Sequence, residues 1–186
     1  MLEREVKLRF DTPEQARATV IAAGATPLGA RRLQQDSLFD SDDESLRSQR
    51  SMLRVRRDGL ASIVTFKGPI QPGPMKLREE LETAVADGDM LRQIFDRLGL
   101  RSWFTYEKYR EEFSAPGVVI AVDETPVGSF VEIEGTSDGI TAMAAAMGKG
   151  PADYILDSYY RLFMKTREAL GFKGHDMIFE DPGRSQ

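Results

Sequence analysis

Polar and apolar residues alternate in short bursts along this chain. Residues 2–10 repeat with period two, the spacing that sends successive side chains to opposite faces of a strand. Residues 34–40, 52–57, 62–67, 76–82, 105–113, 118–124 and 129–135 are further strand candidates, which makes eight. Asp58-Gly59 joins two of them with a hairpin signal, and Pro/Gly-rich residues 68–74 form a loop. Thr12 as N-cap, Pro13 at the first helical position and Gln15 completing a capping box start a helix that Gly24 stops. Residues 87–98 are an amphipathic helix ended by Gly99, and helical stretches follow near 138–147 and 158–170. The polar, acidic stretch 41–49 reads as a loop. Residues 172–186 carry no assignable element, and mobility is the expectation for such an end. Strands joined mostly by short turns favour antiparallel pairing, so the expected fold is α+β with a closed or nearly closed sheet.

Sorting each strand by face changes the picture. Glu3, Glu5, Lys7 and Arg9 share one side of the first strand, while Leu2, Val6 and Leu8 share the other, with Arg4 as the exception. Arg54 and Arg56 oppose Leu53 and Val55; Thr65 and Lys67 oppose Val64 and Phe66. Lys76, Arg78, Glu80 and Glu82 oppose Leu77 and Leu81. Lys108 and Arg110 share a face with Glu112, Asp123 opposes Ile120 and Val122, and Glu132 and Glu134 oppose Val131 and Ile133. An ordinary half-solvated sheet would give the same alternation in any one strand. Ordinary solvent faces, however, are rich in Ser, Thr, Asn and Gln, whereas nearly every position here is ionisable. If the sheet closes with its apolar face against helices, these charges line a tunnel. Enclosed charges must be paired, hydrated or ligand-bound, so such a lining suggests a polyanion held by the bases and cations held by the acids.

Composition narrows the chemistry. The 186 residues suit one domain, and no cysteine is present, which excludes disulfides, thiolate metal sites and a cysteine nucleophile. The single histidine, His175, excludes a His-rich metal cage and reads as incidental. A net charge of −5 lacks the bulk basic footprint expected for duplex nucleic acid. Neither a secretory leader nor an apolar run of membrane-spanning length is present, so a cytoplasmic location without membrane attachment is expected.

The ordered motifs resemble the CYTH family, also called triphosphate tunnel metalloenzymes, over residues 1 to about 170. Glu3-Arg4-Glu5-Val6-Lys7 is similar to its Glu-x-Glu-x-Lys signature, Leu53-Arg54-Val55-Arg56 to its strand with two tunnel arginines, and Thr65-Phe66-Lys67-Gly68-Pro69 to its Thr-x-Lys-Gly-Pro strand end. Arg78-Glu79-Glu80-Leu81-Glu82, Lys108-Tyr109-Arg110, Asp123 and the stretch from Gly128 through Glu132-Ile133-Glu134-Gly135 continue the series, and Ser158-Tyr159 opens a helix as in bacterial members. The family includes class IV adenylyl cyclases, thiamine triphosphatases and inorganic triphosphatases.

The resemblance implies an eight-stranded antiparallel β-barrel tunnel with helices packed outside, occupying residues 1–170, with 171–186 as a C-terminal tail. It implies a metal-dependent phosphohydrolase acting on inorganic, thiamine or nucleoside triphosphate. A cyclase making cyclic AMP from ATP is the first alternative, and a non-catalytic polyphosphate or nucleotide binder is the second. Lys7, Arg54, Arg56, Lys67, Lys108 and Arg110 are the implied catalytic and substrate-binding bases, and Arg78 is a further substrate contact. Lys165, on the last helix, is a candidate at a tunnel mouth. Glu3, Glu5, Glu132 and Glu134 are the leading metal ligands. Asp123, Glu80 and Glu82 either bind a second metal or orient the bases. Oxygen-only ligation suits Mg²⁺ or Mn²⁺. A triphosphate-containing small molecule is the expected partner, and a homodimer stays open.

Overall fold

The computed structural model describes residues 1–180. In chain order the strands are β1 (Leu2–Phe10), β2 (Thr26–Pro27), β3 (Arg32–Ser41), β4 (Met52–Asp58), β5 (Ala61–Lys67), β6 (Lys76–Val85), β7 (Leu100–Ala115), β8 (Val118–Thr125) and β9 (Gly128–Gly135). The helices are α1 (Pro13–Ala22), α2 (Ser45–Ser48), α3 (Gly88–Arg97), α4 (Ser137–Ala146) and α5 (Tyr159–Thr166). All strand pairings are antiparallel, in the order β7-β3-β4-β5-β6-β1-β9-β8, and β8 pairs back onto β7. Eight strands thus close a barrel, as expected, and β2 is a two-residue addition to the β7 edge.

Both faces of the wall are buried. On the outside Val6 and Leu8 are 1% and 0% exposed; on the inside Glu3, Glu5 and Lys7 are only 5%, 8% and 2% exposed. A half-solvated sheet would expose that second row, so burial decides for an enclosed charged interior. Outside, Val6, Leu8, Ile120, Val122, Val131 and Ile133 pack against Ala16 and Val20 of α1 and Ile140, Met143 and Ala144 of α4. A second core joins Leu38, Phe104, Tyr106 and Phe130 to Tyr159, Leu162 and Phe163 of α5 and to Met177.

Local chemistry sets the helix starts. Thr12 accepts from the Gln15 amide at 3.2 Å, Asp87 from Met90 at 2.8 Å, Thr136 from Gly139 at 3.1 Å and Ser158 from Arg161 at 3.3 Å. The Gln15 side chain accepts from the Asp11 amide, one residue before the position a capping box would use. Within the expected 41–49 loop lies α2, one turn held by the Asp40 carboxylate, which accepts from the Leu46 and Arg47 amides at 2.9 and 3.0 Å. No periodicity can show in four residues. β7 starts five residues before the expected 105, because residues 100–102 continue pairing with β3 beyond a register shift at Leu38/Phe39. At the end of β9, Gly135 has φ +152°, and a Cβ there would lie 2.1 Å from the Gly117 carbonyl oxygen.

The tail is partly ordered against the barrel. Met177 exchanges backbone hydrogen bonds with β7, its amide to the Thr105 carbonyl at 3.0 Å and its carbonyl from the Glu107 amide at 2.9 Å. Its side chain is fully buried. Mobility, expected for 172–186, does not describe residues 172–180, since backbone pairing and Met177 hold them; the rest lies outside the described residues. No helix among the described residues is long and apolar enough to cross a membrane.

Candidate active site

The alternation that sorted charges to one face puts them into a single cavity of about 600 Å³ inside the barrel. Its lining includes Lys7, Arg54, Arg56, Lys67, Arg78, Lys108 and Arg110, and also Glu3, Glu5, Glu80, Glu82, Glu132 and Glu134. Of the residues singled out from sequence, the structure leaves two off this lining. Lys165 is on the outer surface of α5, paired with Asp157 at 2.5 Å. Asp123 is fully buried in the wall and acts on the lining bases rather than on the cavity. Arg9 keeps its inward register but lies over the Phe130 ring at 4.7 Å, away from the cavity.

The charges fall into three groups. In the first, Asp123 accepts from Lys108 at 2.9 Å, from Arg110 Nε at 2.7 Å and from the Tyr159 hydroxyl at 2.6 Å. Glu132 pairs with Lys7 at 2.8 Å and with Arg110. Burial, followed by the neighbouring Arg110, pulls Lys108 down to about 8 despite Asp123. Burial alone would raise Glu132, yet Lys7, Lys108 and Arg110 hold it well below the usual carboxylate range. Tyr159 lies under both lysines, its ring 4.5 Å from Lys7 Nζ and 5.2 Å from Lys108 Nζ.

The second group is arginine-rich. Asp36 of β3 accepts from Arg56 Nε at 2.8 Å and lies 3.3 Å from Arg54 Nε. Arg54 also donates to Thr65 Oγ1 at 3.0 Å and Glu82 at 3.3 Å. Tyr106 lines the cavity beside Arg54; burial, then the Asp36 charge, pushes its hydroxyl up to about 12, so it stays protonated.

The third group is acidic. Glu3 takes Lys67 at 2.6 Å and Arg78 at 3.0 Å, and Lys67 also reaches Glu80 at 3.1 Å. Glu5 pairs with Lys76. Glu134 stands directly opposite Glu5 across the β1–β9 ladder and makes no ion pair among the described residues. Like charges facing across a ladder repel. Partial burial, then Glu3, Glu5 and Glu80, pushes Glu134 up to about 7. This end of the cavity is therefore short of positive charge.

That shortage is the test of whether a divalent cation fits. The donors are all carboxylate oxygens, which suits Mg²⁺ or Mn²⁺. No three of them form a ready cluster among the described residues, because Glu3 and Glu5 are engaged by lysine and arginine. Mg²⁺ characteristically takes one or two carboxylates plus substrate phosphates rather than an all-protein cage, so an incomplete acidic mouth fits it.

Four residues of the site receive no role from the sequence. Lys76 alternates with Arg78 and Glu80 and carried the needed signal. Asp36 shares its face with Gln34 and Leu38, so no charge row marked it. Tyr106 shares the face of Lys108 and Arg110 but carries no charge to mark it, and Tyr159 stands out in the sequence only as the start of a helix.

The CYTH domain family model matches residues 1–159. A provisionally named adenylate cyclase from Methanocaldococcus jannaschii is 29% identical over 135 residues, covering 72% of this chain and 77% of that one. A solved Pyrococcus horikoshii protein superposes with a TM-score of 0.72 at 26% identity, over 86% of this chain and 98% of the other. A Hippeastrum protein, described as a provisional adenylyl cyclase with a dominant triphosphatase activity, superposes with a TM-score of 0.65 at 18% identity, over 88% and 95%.

Proposed function

The chain belongs to the CYTH domain family, and from that premise we propose that it is a divalent-metal-dependent phosphohydrolase acting on a small triphosphate inside the barrel. One observation carries the reading: Lys7, Arg54, Arg56, Lys67 and Lys108 are all less than a tenth exposed yet line one cavity together with Glu134, a carboxylate that no base pairs among the described residues. Burying so many ionisable groups is costly unless a ligand completes them.

In this reading Arg54, Arg56 and Arg110 present planar forks to phosphoryl oxygens, and Lys7, Lys67 and Lys108 supply compact charge. Arg78 is a further contact on the same row. Glu134, which no base pairs among the described residues, would hold Mg²⁺ or Mn²⁺ together with Glu5 and Glu3. When bound, the cation would add positive charge at the phosphoryl oxygens. Asp123, saturated by Lys108, Arg110 and Tyr159, orients bases instead of binding metal, and Glu132 does the same for Lys7 and Arg110. Glu80 and Glu82 steady Lys67 and Arg54. Catalysis is then charge neutralisation and alignment for in-line attack by water on the terminal phosphorus.

Cyclisation of ATP is the second reading, favoured by the name of the Methanocaldococcus relative. Against it, the cavity lining is dominated by ionisable side chains, whereas a base pocket is largely apolar. The test is turnover of inorganic triphosphate, thiamine triphosphate and ATP side by side, with Mg²⁺ or Mn²⁺ and with chelator, identifying products. Orthophosphate release that requires metal is expected. Cyclic AMP with pyrophosphate as the main products would replace the hydrolase by the cyclase, and no turnover of any of the three would leave only a binder.

A further inference from the structure

We propose that Asp36 is the positioning residue that aims the paired arginines of β4 at the bound anion; this rests on the triphosphate reading above. Asp36 has no exposed surface and does not line the cavity, whereas both arginines do. It sits at the middle of β3, in register with Arg56 on one side and Tyr106 on the other. Arg54 and Arg56 are two residues apart on one strand face, so their guanidinium groups repel and, left alone, would splay.

One carboxylate meets both. It accepts from Arg56 through Nε at 2.8 Å and Nη2 at 3.4 Å, and these are the hydrogen bonds Arg56 makes among the described residues. Its Oδ1 also stands 3.3 Å from Arg54 Nε, which has no hydrogen bond of its own. Arg54 is held at its far end instead, by Thr65 Oγ1 at 3.0 Å. Asp36 therefore faces the Nε edges from the same inner side of the sheet, buried beneath the two arginines. The fork of Arg56 is fixed on its stem side, which leaves Nη1 for a phosphoryl oxygen. A guanidinium whose orientation is set before binding loses less freedom when the anion arrives.

Simple charge counting and this arrangement predict opposite signs. Removing a carboxylate from the neighbourhood of an anion site should tighten anion binding. Removing a positioning residue should weaken it. Calorimetry of inorganic triphosphate in chelator, on the full chain, separates them. Asp36→Asn is expected to bind about tenfold more weakly than wild type, and Asp36→Glu to lie between. Arg56→Lys keeps the charge but loses the fork; in that background Asp36→Asn should cost little more. Asp36→Asn binding as tightly as wild type, or more tightly, would overturn the proposal. So would losses that simply add in the double variant. Should Asp36→Asn not fold, an unchanged affinity in Asp36→Glu overturns it instead. Failure of wild type to bind triphosphate would sink the tunnel reading itself, a different outcome from failure in the variants alone.

Discussion

Asp36 and Glu134 show how one interior pulls carboxylates in opposite directions. Arg56 and Arg54 hold Asp36 down to about 2, against the pull of burial. Its folded pKa is below the unfolded value near 3.8, so it stabilises the fold above that value and loses this as pH falls through about 2. The linkage is worth about 2 kcal/mol near neutrality and roughly half of that at pH 3. The stability gap between wild type and Asp36→Asn, from urea midpoints, should therefore narrow between pH 5 and pH 3; a constant gap would contradict the assignment. Glu134 behaves the other way. Its folded pKa, raised to about 7 from 4.5, makes its charge a cost to the ligand-free fold above neutrality, relieved as pH falls through 7. Glu134→Gln should thus raise the ligand-free melting temperature at pH 8. The same variant should weaken Mn²⁺ binding in the presence of triphosphate by about tenfold or more, since even an outer partner of a metal ligand is worth about 10–100-fold. Gain without loss would mean that Glu134 holds no cation. The row of bases was legible because each repeats at i,i+2 with an apolar residue between. Asp36 was not, since a lone acid between Gln34 and Leu38 leaves no period to read.

Between elements, the informative contact is the strap that follows α5. Met177 hydrogen-bonds along β7 and packs with Phe104, Phe163 and Tyr106, the last of which lines the cavity. Met177→Ala should cost about 2–5 kcal/mol in urea unfolding, the usual range for a fully buried large-to-small change. A loss under about 0.5 kcal/mol would mean the strap contributes nothing to the barrel. The strands, and the helices with polar N-caps, followed from period and capping chemistry. The strap, α2 and the start of β7 did not. They depend on backbone partners far away in sequence, such as Asp40 for α2 and Thr105 for Met177, and no local pattern encodes those.

At the scale of the molecule, alternation alone left two folds open: a sheet with one wet face, or a barrel with charges inside. The choice lay in closure of β8 onto β7, a long-range property that strand patterns do not fix. Once closed, the barrel confines rows of like charge whose repulsion a ligand of the opposite sign relieves. Stability should then respond to the right ligand pair more than to ionic strength. The most direct measurement is a melting series with inorganic triphosphate, Mg²⁺, both together, and sulfate at matched ionic strength. At a free concentration about 100 times the dissociation constant, triphosphate with Mg²⁺ should add roughly 2.7 kcal/mol, a rise of about 2–4 °C for a chain of this size. The pair should exceed the sum of its parts, because each neutralises charge the other would face. Melting curves that do not separate triphosphate plus Mg²⁺ from matched sulfate would contradict a triphosphate site inside the barrel.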